Sequence, residues 1–155
     1  MSSTPIEFSL YEFIQAAADA VNDPDTGDED SPAFGVIVHD HIYRKIDDDK
    51  FDYIQIGPCD SDFAPSPGAE TVEEFDGHVT VITLSRVPAA DLRDRQAAMT
   101  KALGLAKWVA KLVLDDPTMG ARVNDARALH CARDWVSINS KPYAATNVPL
   151  VINQT

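Results

Sequence analysis

VTVITLSRVPAADLRDRQAAMTKALGLAKWVAKLV, residues 79–113, changes its apolar period from about two to about 3.6 within a dozen positions. Before Pro88 the chain has β character from Thr71 to Arg86. Val79 and Val81 oppose Thr80, Ile82 and Leu84, so the strand is expected to be buried on both faces toward its end. After it, Pro88 and Asp91 announce a helix running to about Leu114. Leu92, Met99, Ala102, Leu103, Ala106, Val109, Ala110 and Val113 form its apolar stripe. Arg93, Lys101, Lys107 and Lys111 mark the wet side, the last two near the negative end of the helix dipole. Asp115, Asp116, Pro117 and Gly120 stop the helix.

Working outward, two β segments follow, roughly Ala126–Ile138 and Tyr143–Ile152, joined across Asn139 to Pro142 by a hairpin turn. Upstream, FDYIQIG alternates cleanly over 51–57 and reads as a strand. The β-branched segment GVIVHDHIYRKI before it is a short strand or an extended connection. Ile6, Leu10, Phe13, Ile14, Ala17 and Val21 recur at helical spacing behind Pro5, and Asn22, Pro24 and Gly27 end that helix. NDPDTGDEDSP, near 22–33, has nothing to bury and many like charges, so an exposed, mobile acidic loop is expected. The order α, β, β, α, β, β implies one α+β domain spanning 1–155. Its mostly antiparallel four-stranded sheet carries the long helix and the N-terminal helix on one face.

The 155 residues fit one domain, and 45% hydrophobic with 25% charged residues is ordinary globular composition. Charge is unevenly spread: residues 1–77 hold 19 acids against 3 bases, net −16, and 78–155 hold 6 against 10, net +4, giving the total of −12. That total disfavours binding to nucleic acid or an anionic membrane, and the division favours head-to-tail contact with copies of the chain or a partner ring. Cys59 and Cys131 are too few for a disulfide scaffold, so reduced thiols are expected. MSSTPIEFSL lacks a basic region and an apolar run, and no stretch approaches the ~18 apolar residues that span a bilayer. A soluble protein made in a cytoplasm is expected.

Chemistry is hard to find. His39 and His41 share one face of a strand, with His78 or His130 as a conceivable third ligand, but no second close-spaced pair exists, and two exposed histidines are the simpler reading. Read as adjacent strand residues, His130 and Cys131 point to opposite faces, which prevents thiolate activation. Asp47, Asp48, Asp49, Glu73 and Glu74 cannot be ranked as acid and base in so acidic a half. The acidic loop fails the EF-hand pattern: counted from Asp23, Gly27 comes one place early and Phe34 takes the twelfth position. No GxGxxG or GxxxxGK[ST] occurs. Trp108, Trp135, Tyr43, Tyr53 and Tyr143 are scattered, as core or interface aromatics are. No catalytic residue, cofactor or metal is therefore expected, and the composition alone also admits an acidic mimic of DNA.

Several segments in this order resemble the tail terminator proteins of long-tailed bacteriophages and phage-like particles, the family of the lambda-like minor tail protein U. The likeness is carried by HDHIYRKIDDDKFDYIQIGP, HVTVITLSR, AKWVAKLVLDD and YAATNVPLVINQT. His41 to Arg44 fill an RIY-like pattern, Tyr53 to Gly57 a YIxIG strand, and Leu84 to Arg86 the strand end entering the long helix. His41 stands where the family has Arg, and Asp52 where it has Pro. The resemblance implies a structural virion protein at the neck of the tail, not an enzyme. About six copies would form a ring on the tail tube, end its polymerisation and meet the head connector or head-closure protein, while DNA passes through the lumen without specific binding. Other neck proteins, a head-closure factor or a head-tail adaptor, are the alternative within the same setting. For the ring interface, Asp47, Asp48 and Asp49 on one side and Arg122, Arg127 and Arg133 on the other are the candidate residues.

Overall fold

A computed structural model of the chain describes residues 4–42, 46, 50–62, 75–88 and 91–154. It is an α+β fold. Helix α1 spans Ile6–Val21, as its apolar spacing requires, and Pro5 stands at its N-cap, where its carbonyl accepts from Phe8 and Ser9 N–H. Asn22 closes α1 and ties both ends of the acidic loop together. Its Nδ2 donates to Ala18 O (2.8 Å) and Ala33 O (3.2 Å), and its Oδ1 accepts from Gly35 N (2.7 Å). Residues 23–30 between those anchors are all exposed, as expected of their composition.

Among the described residues, seven strand segments form one sheet: β1 (Ile37–His39), β2 (Asp52–Ile56), β3 (Asp60–Asp62), β4 (Phe75–Arg86), β5 (Asp125–Ala128), β6 (Ala132–Ile138) and β7 (Lys141–Gln154). β4 and β7 are the central antiparallel pair, in register over all twelve residues of β4. β2 and β3 follow one another along the free side of β4, and β6 and β5 do the same along β7. The expected four-stranded antiparallel sheet is corrected in two ways. Short β1 adds in parallel to β2 at the edge, making the sheet mixed. The strand expected over 126–138 is also split into β5 and β6, and the strand expected over 51–57 is followed in its lane by a further segment, β3.

Both lane breaks have a backbone cause. Gly57 N still donates to Thr80 O (2.8 Å), but Pro58 has no N–H, and the β2–β3 lane breaks there. In the other lane, Leu129 N donates to Pro149 O (3.0 Å), and Pro149 has no N–H to return, so the lane breaks over 129–131. His130 and Cys131 therefore lie in a connection and not in a strand. At the β6–β7 hairpin, Asn139 and Ser140 have φ of 53° and 63° between the pair Ile138 and Lys141, the signature of a two-residue type I′ turn.

The main core lies on one face of the sheet. Leu10 and Ile14 of α1 join Leu105, Val109 and Val113 of helix α2 (Leu92–Asp115) over Ile54, Val79, Val81, Val148 and Ile152. Asp91 caps α2 as its sequence predicts, accepting from Asp94 N at 2.8 Å. The stripe needs one correction. Buried positions begin at Ala98, so Leu92 in the overhanging first turn is 71% exposed, while Leu105, outside the expected stripe, is fully buried.

Small side chains let α2 approach the sheet closely: Ala98 and Ala102 lie over Val87 and Ala144. There the Thr83 hydroxyl donates to Ala102 O at 2.8 Å and accepts from the Thr146 hydroxyl, with both threonines fully buried. α1 has its own close approach at Gly77, where a Cβ would run into Ile6 Cδ1 and lie 2.8 Å from Cys59 Sγ. Both helices sit on this one face, and among the described residues no helix covers the other.

Candidate functional site

The helix-free face is built by the alternate residues of the same strands. In antiparallel register, paired residues share a face, so Gln55 with Ile82 and Tyr53 with Leu84 belong opposite the helices, as do Asn147 and Ala145 of β7. Tyr53, Leu84, Tyr143, Ala145 and Ile46 are buried there as a second apolar cluster, with Ile37, Ile82, Val136 and Ile138 half-buried beside it. The double-sided burial expected of the strand at 79–86 is thus present, with its second face covered in part by Ile42, Ile46 and β6.

Between those covers runs an open groove of about 400 Å³. Ile82, Leu84 and Ala145 make its apolar floor, Ile42 one wall, and Val136 and Ile138 the other. Gln55 and Asn147 add two amides and Asp134 a carboxylate. Gln55 is buried and turned onto His39, its Nε2 lying 3.1 Å from Nδ1, a contact the neutral imidazole makes as acceptor. Burial, and then the neighbouring His41, lower the pKa of His39 below the ordinary 6.5, with Asp40 opposing them. Among the described residues, no nucleophile paired with a base lines this groove. Its chemistry is that of an adhesive surface, apolar in the middle with amides at the margin.

A smaller recess of about 270 Å³ lies between α2 and the 129–131 break, lined by Leu103, Ala106, Lys107 and Leu129 with His130 and Cys131. A third cleft separates Glu29 and Asp30 of the acidic loop from Lys101 of α2. Lys101 is less solvated than its sequence position predicts: its Nζ is 3.7 Å from Asp52, which also accepts from Ser85 Oγ at 2.8 Å. In that loop Asp23 accepts from Asp25 N and Thr26 N, which holds its carboxyl below the usual range, and Asp28 accepts from Asp30 N. Among the described residues, no group of three or more His, Cys, Asp or Glu is placed to hold a metal ion. No described helix is long and apolar enough to cross a membrane.

The candidate interface residues do not form one patch. Asp47, Asp48 and Asp49 lie outside the described residues, as do Glu73 and Glu74. Arg122 is engaged within its own chain. Its Nη1 donates to Met119 O (2.9 Å) and its Nε lies 3.6 Å from Glu12, bracing the turn after α2, where Met119, Gly120 and Ala121 all have positive φ. Arg127 and Arg133 are exposed on the same sheet edge, but their partners in register, Val151 and Thr146, belong to opposite faces. The open face and its groove were missed from sequence, although the alternation of Tyr53, Gln55, Ile82 and Leu84 carries the signal.

The fold turns the uneven charge of the sequence into a sideways polarity. The lanes run β1, β2, β4, β7, β5, so the acidic first half supplies one flank of the sheet and the weakly basic second half the other. Among the described residues from 4 to 62, Lys50 is the one Lys or Arg. Compared with known proteins, the chain matches no protein-family model and no curated protein.

Proposed function

We propose that this chain is a structural, ring-forming virion protein of the tail neck: a tail terminator that caps the tail tube, ends its polymerisation and joins the tail to the head connector. The observation that carries the reading is a sheet that, among the described residues, carries its helices on one face, with an apolar groove on the other face and flanks of opposite charge. Such a body suits repeated contact with copies of itself and with a neighbouring ring. A heterologous contact of this kind closes into a ring when its rotation allows. The acidity supports the same reading, because a negatively charged lumen repels DNA and lets it slide. The segments resembling tail terminators supply the ring of about six copies and the identity of its neighbours.

The test is tube growth. Purified tail-tube protein of the same particle is polymerised with and without this chain, and tube lengths are read by negative stain. Short tubes with a density at one end are the expected result. Unchanged lengths and bare ends would overturn the reading. If the same preparation instead inhibited a DNA-binding enzyme in a salt-sensitive way, the acidic DNA mimic would replace it.

A further inference from the structure

We infer that the two opposite edges of the sheet are the two halves of one head-to-tail interface between copies of this chain. The inference rests on the ring-forming reading and names the surfaces that would join. On the β5–β6 edge, Leu129 and Trp135 are about half exposed, at 49% and 51%, with the exposed Arg133 on the face of Trp135 and the exposed Arg127 on the other face of the same edge. On the opposite edge, Phe34 and Ile42, 43% and 44% exposed, stand just before and after β1, with the half-buried Asp40, its Oδ1 2.6 Å from His41 Nδ1, between them. Each edge thus pairs exposed apolar side chains with charge, and the charges are opposite. The edges are four lane spacings apart, roughly 19 Å, so one molecule presents both without their meeting. Two patches of this kind complement each other between molecules and cannot be satisfied within one.

The β6 edge also carries a sign of how it is joined. Trp135 N donates to the carboxylate of Asp134 at 2.7 Å, so an outward backbone donor is already taken. This capping disfavours continuation of the ladder into another strand. Contact through side chains, with Trp135 as the anchor, fits that arrangement. Aromatic anchors flanked by arginine are the usual centres of binding energy, and losing one weakens association by about 30-fold or more.

A complementation experiment tests the inference. The edge variant carries Arg127→Glu, Arg133→Glu and Trp135→Ala. The flank variant carries Phe34→Ala, Asp40→Lys and Ile42→Ala. Circular dichroism and a thermal melt confirm that both fold, as substitutions at exposed positions should allow. Native mass is then measured for each chain alone and for a one-to-one mixture. The wild type should assemble beyond a dimer and lose mass as salt rises, and each variant alone should be monomeric. Mixed, the two variants should form a dimer and stop there, because only one of the two possible junctions is intact. The inference is overturned by variants that assemble like the wild type, by a mixture that stays monomeric, or by a wild type that is monomeric at about 1 mM. The tube assay separates this failure from failure of the function: capping by the wild type and equally by both variants leaves the terminator standing without this interface. Assembly through the edges with no capping leaves the interface standing and removes the terminator.

Discussion

Replacing Thr83 with valine removes one atom's chemistry and almost no volume, so it isolates the hydrogen-bonded chain under α2. Thr146 donates to Thr83, and Thr83 donates to Ala102 O at 2.8 Å, all in full burial. Thr83→Val leaves the Thr146 hydroxyl without its acceptor in a dry site, and such an orphan costs about 1–3 kcal/mol. Thr146→Val removes only the first donor, leaves Thr83 bonded to the helix, and should cost about 1 kcal/mol. In the double variant no hydroxyl is stranded, and Ala102 O keeps its position inside the helix ladder. That protein should be more stable than Thr83→Val alone, by about 1 kcal/mol. Urea unfolding with an unchanged m-value measures all four proteins of the cycle, and a matching recovery of about 2–4 °C in Tm is expected at this size. Additive losses, with the double variant below both singles, would refute the hydrogen-bonded account of how α2 is seated.

Three other perturbations follow from the same geometry. Asn22→Ala removes three side-chain hydrogen bonds, two of which tie α1 to the far end of the acidic loop, and should cost about 1–3 kcal/mol in urea unfolding and make residues 23–33 more sensitive to proteolysis. Ser140→Gly relieves a left-handed backbone at φ 63° in the β6–β7 turn and should stabilise by about 1 kcal/mol, with a corresponding rise in Tm. His39 has a folded pKa below its ordinary value of 6.5, so its neutral form is the one that folding favours. Its contribution is complete above pH 6.5 and is lost as pH falls from there through the folded pKa. His39→Gln should flatten the stability profile in that window and leave it unchanged at pH 8.

Those positions also show where sequence reasoning reached and where it stopped. The period change at 79–113 located β4 and α2 because their burial is local to each element, and Asp91 marked the helix start through a cap formed three residues away. The exposure of Leu92 was not legible, because it depends on where the sheet ends beneath the helix. Nor was the parallel pairing of β1, since three residues, Ile37 to His39, carry too little pattern to fix a partner. The break at Leu129 arises from Pro149, twenty positions away across the ladder, and becomes visible only once the register is known. The same holds for the candidate site. Arg122, Arg127 and Arg133 share a charge in the sequence, but one braces its own chain and the other two face opposite sides of the sheet.

The central claim is that copies of this chain close into a ring that fits the end of a tube. Native mass spectrometry of the purified chain, alone and then bound to ends of the tail tube, tests it most directly. One closed species of about six times 16.9 kDa, free in solution or recovered from tube ends, is the expected result. A chain that stays monomeric and is never recovered from tube ends, or that grows into open filaments of no fixed mass, would contradict it.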